Sequence, residues 1–163
     1  MKIFAKYLAV FALVLGSATA YAEGGRLAVP ANKEWKEECG SCHIAFPPAL
    51  LTADNWQRLM GGLDKHFGAN ASLDKKTSDD ILAFLQQYAG SGARHGASTL
   101  RISDTSWFTR EHHEVSGKTW ANPAVKSKSN CTACHVNAER GDWSERGIRM
   151  PGGLRREEDG DDD

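Results

Sequence analysis

Cys39-Gly40-Ser41-Cys42-His43 and Cys131-Thr132-Ala133-Cys134-His135 are two copies of one pentapeptide pattern, C-x-x-C-H, and together they use all four cysteines of the chain. The pattern is the attachment signature of c-type haem. Two cysteines three apart, on the first turn of a short helix, can both reach the vinyl groups of one porphyrin and form thioether bonds. The next residue then sets an imidazole under the iron as the proximal axial ligand. A single C-x-x-C is weak evidence, because redox disulfides and zinc sites share it. A zinc site would need both pairs on one metal, and paired disulfides would need no histidine. Either alternative leaves His43 and His135 as coincidences. The repeat therefore predicts two covalently bound c-type haems, attached through Cys39, Cys42, Cys131 and Cys134, with His43 and His135 as proximal iron ligands.

The N-terminus reads as an export signal. Lys2 and Lys6 form a basic start, Tyr7 to Leu15 an apolar run, and small residues follow from Gly16. Ala18-Thr19-Ala20 and Ala20-Tyr21-Ala22 both match an A-x-A cleavage site, and cleavage after Ala22 is favoured. The apolar run is short for a bilayer span. Export fits covalent haem attachment, which bacteria carry out on the outer side of the inner membrane. The expectation is a signal peptide over 1–22 and a mature protein in the periplasm.

About 140 residues then remain of the 163, enough for one domain or two small ones. A globule of that size has a radius of gyration of about 14 Å, so two haems inside it lie within easy reach of electron exchange. Formal net charge is −1, and the basic residues lack interleaved aromatics, which argues against nucleic acid as a partner. Arg140, Arg146, Arg149, Arg155 and Arg156 precede an acidic run from Glu157 to Asp163, which reads as a solvated, disordered tail over 157–163.

Between these ends the apolar pattern is helical, and the chain reads as all-α. Asn32 can cap a short helix that delivers the first motif, and Pro47-Pro48 end the turn after it. Thr52 or Asp54 can cap the next helix, in which Trp56, Leu59, Met60, Leu63 and Phe67 repeat at helical spacing. His66 falls on the same stripe. An isolated histidine there would ordinarily be a core residue, but an iron needing a sixth ligand makes His66 the expected distal ligand of the first haem, with Met60 second. Gly68 ends that helix. Thr77-Ser78-Asp79-Asp80 then reads as the capping cluster of a helix through Ile81, Leu82, Leu85 and Tyr88, closed by Gly90 and packed on the helix before the first haem. A Gly-rich linker over 91–99 holds His95, taken as a surface residue. Ser103-Asp104-Thr105 starts a helix carrying Phe108, His112 and Val115 on one face, with His113 rotated by about 100° toward the polar side. His112 is the expected distal ligand of the second haem. Met150, followed by Pro151, resembles the methionine ligand of small monohaem cytochromes and stands as the alternative. Arg146 and Arg149 could pair with haem propionates.

The chain resembles the bacterial dihaem cytochrome c family, often abbreviated DHC. The resemblance rests on the first motif, Trp56 with His66-Phe67-Gly68, Arg101-Ile102 with Trp107 and His112, the second motif after Asn130, then Gly141-Asp142 and Ile148-Arg149-Met150-Pro151. It implies an N-terminal domain similar to monohaem cytochrome c, over 23–90, and a smaller, irregular C-terminal haem domain, over 100–156. It also implies bis-histidine irons, His43 with His66 and His135 with His112, and electron exchange with a membrane b-type cytochrome or a small oxygen-binding monohaem cytochrome. Contact with the membrane would then come only through a partner. Met150 and the neighbouring His113 depart from the family's pattern, as does the acidic tail.

The function expected is electron carriage without chemistry of its own, by two low-spin haems at low potential. The competing reading is a small haem enzyme, a peroxidase or sulfur-compound oxidoreductase with one iron that can open. Its acid–base groups would be His113, Glu111 or Glu114.

Overall fold

Asn32 opens the first helix, α1 (Lys33–Gly40), as expected: its side-chain oxygen accepts from the backbone N–H of Trp35 at 2.8 Å. This computed structural model describes residues 27, 29–91 and 99–151. The expected signal peptide, His95 and the acidic tail lie outside the described residues, as does most of the 91–99 linker. Among the described residues the chain is helical, with short 3₁₀ turns and no strand beyond two isolated bridges, His66 with Ala69 and His135 with Ile148. The all-α reading is correct.

After the first motif, Pro48–Leu50 forms a 3₁₀ turn. Thr52 caps α2 (Ala53–Met60), accepting from the Asn55 N–H. Here the sequence pattern misleads. The apolar stripe through Phe67 is not one helix, because α2 stops at Met60 and Leu63–Lys65 follows as a separate 3₁₀ turn. Gly61-Gly62 explains the break, since consecutive glycines lose the most backbone freedom on joining a helix. Leu63 still packs on the core, but Phe67 does not: its φ is +49° and it is 51% exposed. The next helix, α3 (Lys75–Gln87), also starts earlier than the pattern suggests. Asp74 is its cap, accepting from the Thr77 N–H, and Thr77-Ser78-Asp79-Asp80 lie inside it.

Trp35, Leu51, Trp56, Met60, Ile81, Phe84 and Leu85 form one buried cluster where α3 packs on α1 and, more extensively, on α2. The contact with α1 is the one expected, with the Trp35 and Phe84 rings 5.3 Å apart. Trp56 ties the cluster to the segment after the first motif: its indole N–H donates to the buried Pro48 carbonyl at 2.7 Å. Met60 is core, 7% exposed among these side chains.

In the second half, Ile102–Asp104 is a 3₁₀ turn, and Thr105 caps α4 (Ser106–Glu111). Fully buried Thr105 accepts from the Phe108 N–H at 3.1 Å and donates to the Ile102 carbonyl at 2.8 Å. A single-turn helix, α5 (Gly117–Trp120), is capped by Ser116. From there the chain is irregular, and Phe108, Val125 and Ala138 supply its buried apolar residues. So little apolar burial in this half leaves room for a large prosthetic group to complete its core. Asn55 joins the halves by donating to the Thr99 carbonyl at 3.0 Å, and Ile102 packs against the first core.

Candidate functional site

The first motif sits at the end of a helix, not at its start: Cys39 and Gly40 are the last two residues of α1, and Cys42 and His43 follow in the turn. The second motif forms a 3₁₀ turn, Cys131–Ala133. All four cysteines are unbridged. Before haem attachment, burial pushes the Cys39 and Cys131 thiols up to about 11, with Glu38 adding to the effect at Cys39. Among the described residues no three His, Cys, Asp or Glu side chains converge on one point, as a zinc site drawing on both pairs would require.

Each motif histidine faces a second histidine from elsewhere in the chain. The His43 and His66 rings lie 6.2 Å apart at 31°, and the His135 and His112 rings 6.1 Å apart at 71°. A metal–nitrogen bond of about 2.0 Å on each side, plus about 1.1 Å from nitrogen to ring centre, puts two axial imidazoles about 6.2 Å apart. Both pairs therefore have the separation that one iron between them needs. Protonation states agree with this. His43 Nδ1–H donates to the Ile44 carbonyl at 2.8 Å, and His112 Nδ1–H to the Phe108 carbonyl at 2.9 Å. A carbonyl only accepts, so the proton stays on Nδ1 and the Nε2 lone pair is left for a metal. Burial lowers the pKa of His66, reinforced by His43 and Arg101, and burial also lowers that of His112, which favours the neutral form of both rings.

The elements that hold these rings differ from the simple helical picture. His66 is not on a helix face; it ends the Leu63–Lys65 turn, and a bridge to Ala69 holds its backbone. Phe67 packs edge-on to His66, and the Arg101 guanidinium lies 4.3 Å above the Phe67 ring, so a residue of the second half reaches the first site. Phe46 stacks on His43 with ring centres 4.8 Å apart. His112 is the residue after α4, where its ring stacks on Phe108 at 4.1 Å and 17°. The shared face inferred from their i, i+4 spacing thus survives the end of the helix.

A cavity of about 850 Å³ contains His112 and His135 and is walled by Phe108, Trp120, Ile148 and Met150. Its size suits a porphyrin. Met150 is thus in the same chamber as the histidine pair, whereas Met60 belongs to the core. His113 is exposed and donates to the Arg110 carbonyl, and Glu111 pairs with Arg110 at 2.9 Å. Arg149 is engaged by the Arg146 and Ile148 carbonyls. A second cavity, about 980 Å³, runs from Cys42 and His43 to Thr132 and Arg140.

Sequence reasoning placed Phe108 beside His112 but did not assign the other aromatic supports, Phe46, Trp120 and Trp143. Trp143 packs 5.5 Å from His135, and Trp120 6.0 Å from His112. The signal was present in Gly141-Asp142-Trp143, because Gly141 adopts φ +80° and turns the chain back toward the second motif.

The model of the family described as dihaem cytochrome c matches residues 35–143. No curated protein sequence matches the chain. Among solved structures, the dihaem cytochrome c of Shewanella baltica OS155 superposes with a TM-score of 0.66 at 38% identity, covering 76% of this chain and 96% of its own. A dihaem cytochrome c from Rhodobacter sphaeroides gives 0.64 at 39% identity, covering 71% and 98%. A structure of DHC purified from Rhodobacter sphaeroides gives 0.61 at 41% identity, covering 71% and 100%. Two motifs of the right chemistry, a chamber around His112 and His135 of a size that suits a porphyrin, and matches of this extent agree: the chain belongs to the dihaem cytochrome c family and carries two covalently bound c-type haems, a cofactor set suited to electron transfer.

Proposed function

We propose that this protein is a periplasmic electron carrier whose two irons are each held between two histidines, His43 with His66 and His135 with His112. The observation that carries the reading is the pair of ring separations, 6.2 and 6.1 Å, each joining a motif histidine to one from a separate segment. When bound, each haem supplies a one-electron ferric–ferrous couple. Cys39 and Cys42 would anchor one, and Cys131 and Cys134 the other. His66 and His112 would hold the irons from the side opposite His43 and His135, which would leave neither site a position for a substrate. Histidine in place of methionine also favours the ferric state and lowers the potential. The backbone carbonyls that accept from His43 and His112 hold those rings in orientation and make them stronger ligands. Phe108, Trp120 and Trp143 give the cavity around the second pair an aromatic wall.

The N-terminal signal supports an exported protein, and among the described residues no helix is long and apolar enough to cross a membrane. The partners proposed are a membrane b-type cytochrome, reached without direct insertion, and a small monohaem cytochrome. Rapid mixing of the ferric holoprotein with a reduced b-type cytochrome tests the carrier role. Reduction of both haems is expected, with slow cyanide binding and no peroxide turnover. Fast cyanide binding at rest, or catalytic peroxide reduction, would instead identify an enzyme with an open iron.

A further inference from the structure

Phe67 stands in an unusual setting. Its φ is +49°, in the left-handed region that a bulky side chain enters only under strain. The residue is also half exposed, so core burial does not explain its place. Two contacts define the ring. It packs edge-on to His66, with centres 4.9 Å apart, and the Arg101 guanidinium covers it at 4.3 Å. The cation is therefore no farther than about 9 Å from the centre of the His66 imidazole.

Arg101 belongs to the second half and is held through both its backbone and its side chain. Its N–H donates to the Thr99 hydroxyl oxygen at 3.2 Å, and its carbonyl accepts from the Asp104 N–H at 3.0 Å. The Thr99 carbonyl in turn accepts from the buried Asn55 amide of the first half. The side chain pairs loosely with Asp104, with Nε 3.7 Å from the carboxylate, and stays nearly half exposed. Asp64 and Lys65, the charged residues just before His66, are exposed and opposite in sign, so together they carry no net charge.

We infer that Arg101 tunes the potential of the first haem: seated on Phe67, its guanidinium is a fixed positive charge that favours the ferrous state of an iron between His43 and His66. The inference rests on the carrier reading, with a haem at each motif. Reduction adds one electron, makes and breaks no bond, and leaves the iron site one unit less positive. A neighbouring cation repels the ferrous site less than the ferric one, so it raises the potential and offsets part of the lowering that two imidazoles impose. The second half of the chain thus adjusts a haem that it does not attach.

The test uses the holoprotein with Arg101→Gln, Arg101→Lys and Phe67→Leu. Two attached low-spin haems in the wild type come first, because their absence would count against the carrier reading and not against Arg101. A redox titration followed by NMR then reads each haem separately, the first identified by nuclear Overhauser contacts to the Phe46 ring, which stacks on His43. In Arg101→Gln the ferrous-to-ferric ratio of the first haem at a fixed electrode potential should fall about threefold or more. The gap from wild type should narrow in high salt, as screening of an exposed charge requires. Arg101→Lys should retain most of the wild-type ratio. Phe67→Leu unseats the cation and should lower the ratio in the wild-type background but not in Arg101→Gln. A ratio unchanged in Arg101→Gln, or one lowered equally by Arg101→Lys and insensitive to salt, would overturn the proposal.

Discussion

His112→Ala is expected to keep both haems attached but to turn one of the two from low-spin to high-spin. The affected iron should bind cyanide and carbon monoxide quickly, and its potential should rise by about 100 mV or more, because an imidazole donor is lost. The direction follows from the ring geometry. His112 is the imidazole that stands 6.1 Å from His135, stacked on Phe108 and held by that residue's carbonyl. His113→Ala should leave the spectrum unchanged, since that ring is exposed and turned to the Arg110 carbonyl. Added imidazole should restore the low-spin spectrum of His112→Ala. Met150 lines the same cavity, so its capture of the opened iron would show as a new absorption band at about 695 nm, the mark of iron–methionine ligation. An unchanged spectrum in His112→Ala would remove His112 from the ligand set.

Trp56→Ala should produce the largest loss of stability in the N-terminal half. The side chain is 5% exposed at the centre of the main core, and truncating such a residue costs about 3–5 kcal/mol. The buried Pro48 carbonyl also loses its donor, which adds about 1–3 kcal/mol. Against a total of about 5–15 kcal/mol for a typical domain, this is a large share. Guanidinium unfolding of the holoprotein should show a strongly lowered midpoint, with Trp56→Phe between it and the wild type. Removing the exposed Lys75–Asp79 pair should shift the midpoint little, as solvent-exposed ion pairs contribute about 0–1 kcal/mol. A mild effect of Trp56→Ala would mean that attached haem, and not this core, dominates stability in this half.

The chemistry was more legible in the sequence than the backbone that presents it. The two pentapeptides point to two cofactors because ligand spacing is local, and local spacing survives whatever fold surrounds it. The partners of His43 and His135 were legible for a weaker reason, namely apolar neighbours at helical offsets. His112 kept its place beside Phe108 although α4 ends one residue before it, since an i, i+4 offset still brings the rings together across a helix end. For His66 the stripe led to a ring beside His43, but by the wrong structure. Leu63 continues the apolar period and packs on the core, yet Gly61-Gly62 had already broken the helix. Likewise Asp74 took the cap from the Thr77–Asp80 cluster, because a single acceptor one turn earlier was enough to start α3. Trp143 packs on His135, eight residues before it, across the turn at Gly141, and a glycine marks such a turn without saying which side chain it brings back.

Bis-histidine ligation of both irons is most directly tested by low-temperature electron paramagnetic resonance of the oxidised holoprotein. Two low-spin ferric signals of equal intensity are expected, with no high-spin signal. A high-spin signal from one haem in the resting protein, or an iron–methionine absorption band abolished by Met150→Ala, would contradict the ligand pairs His43–His66 and His135–His112.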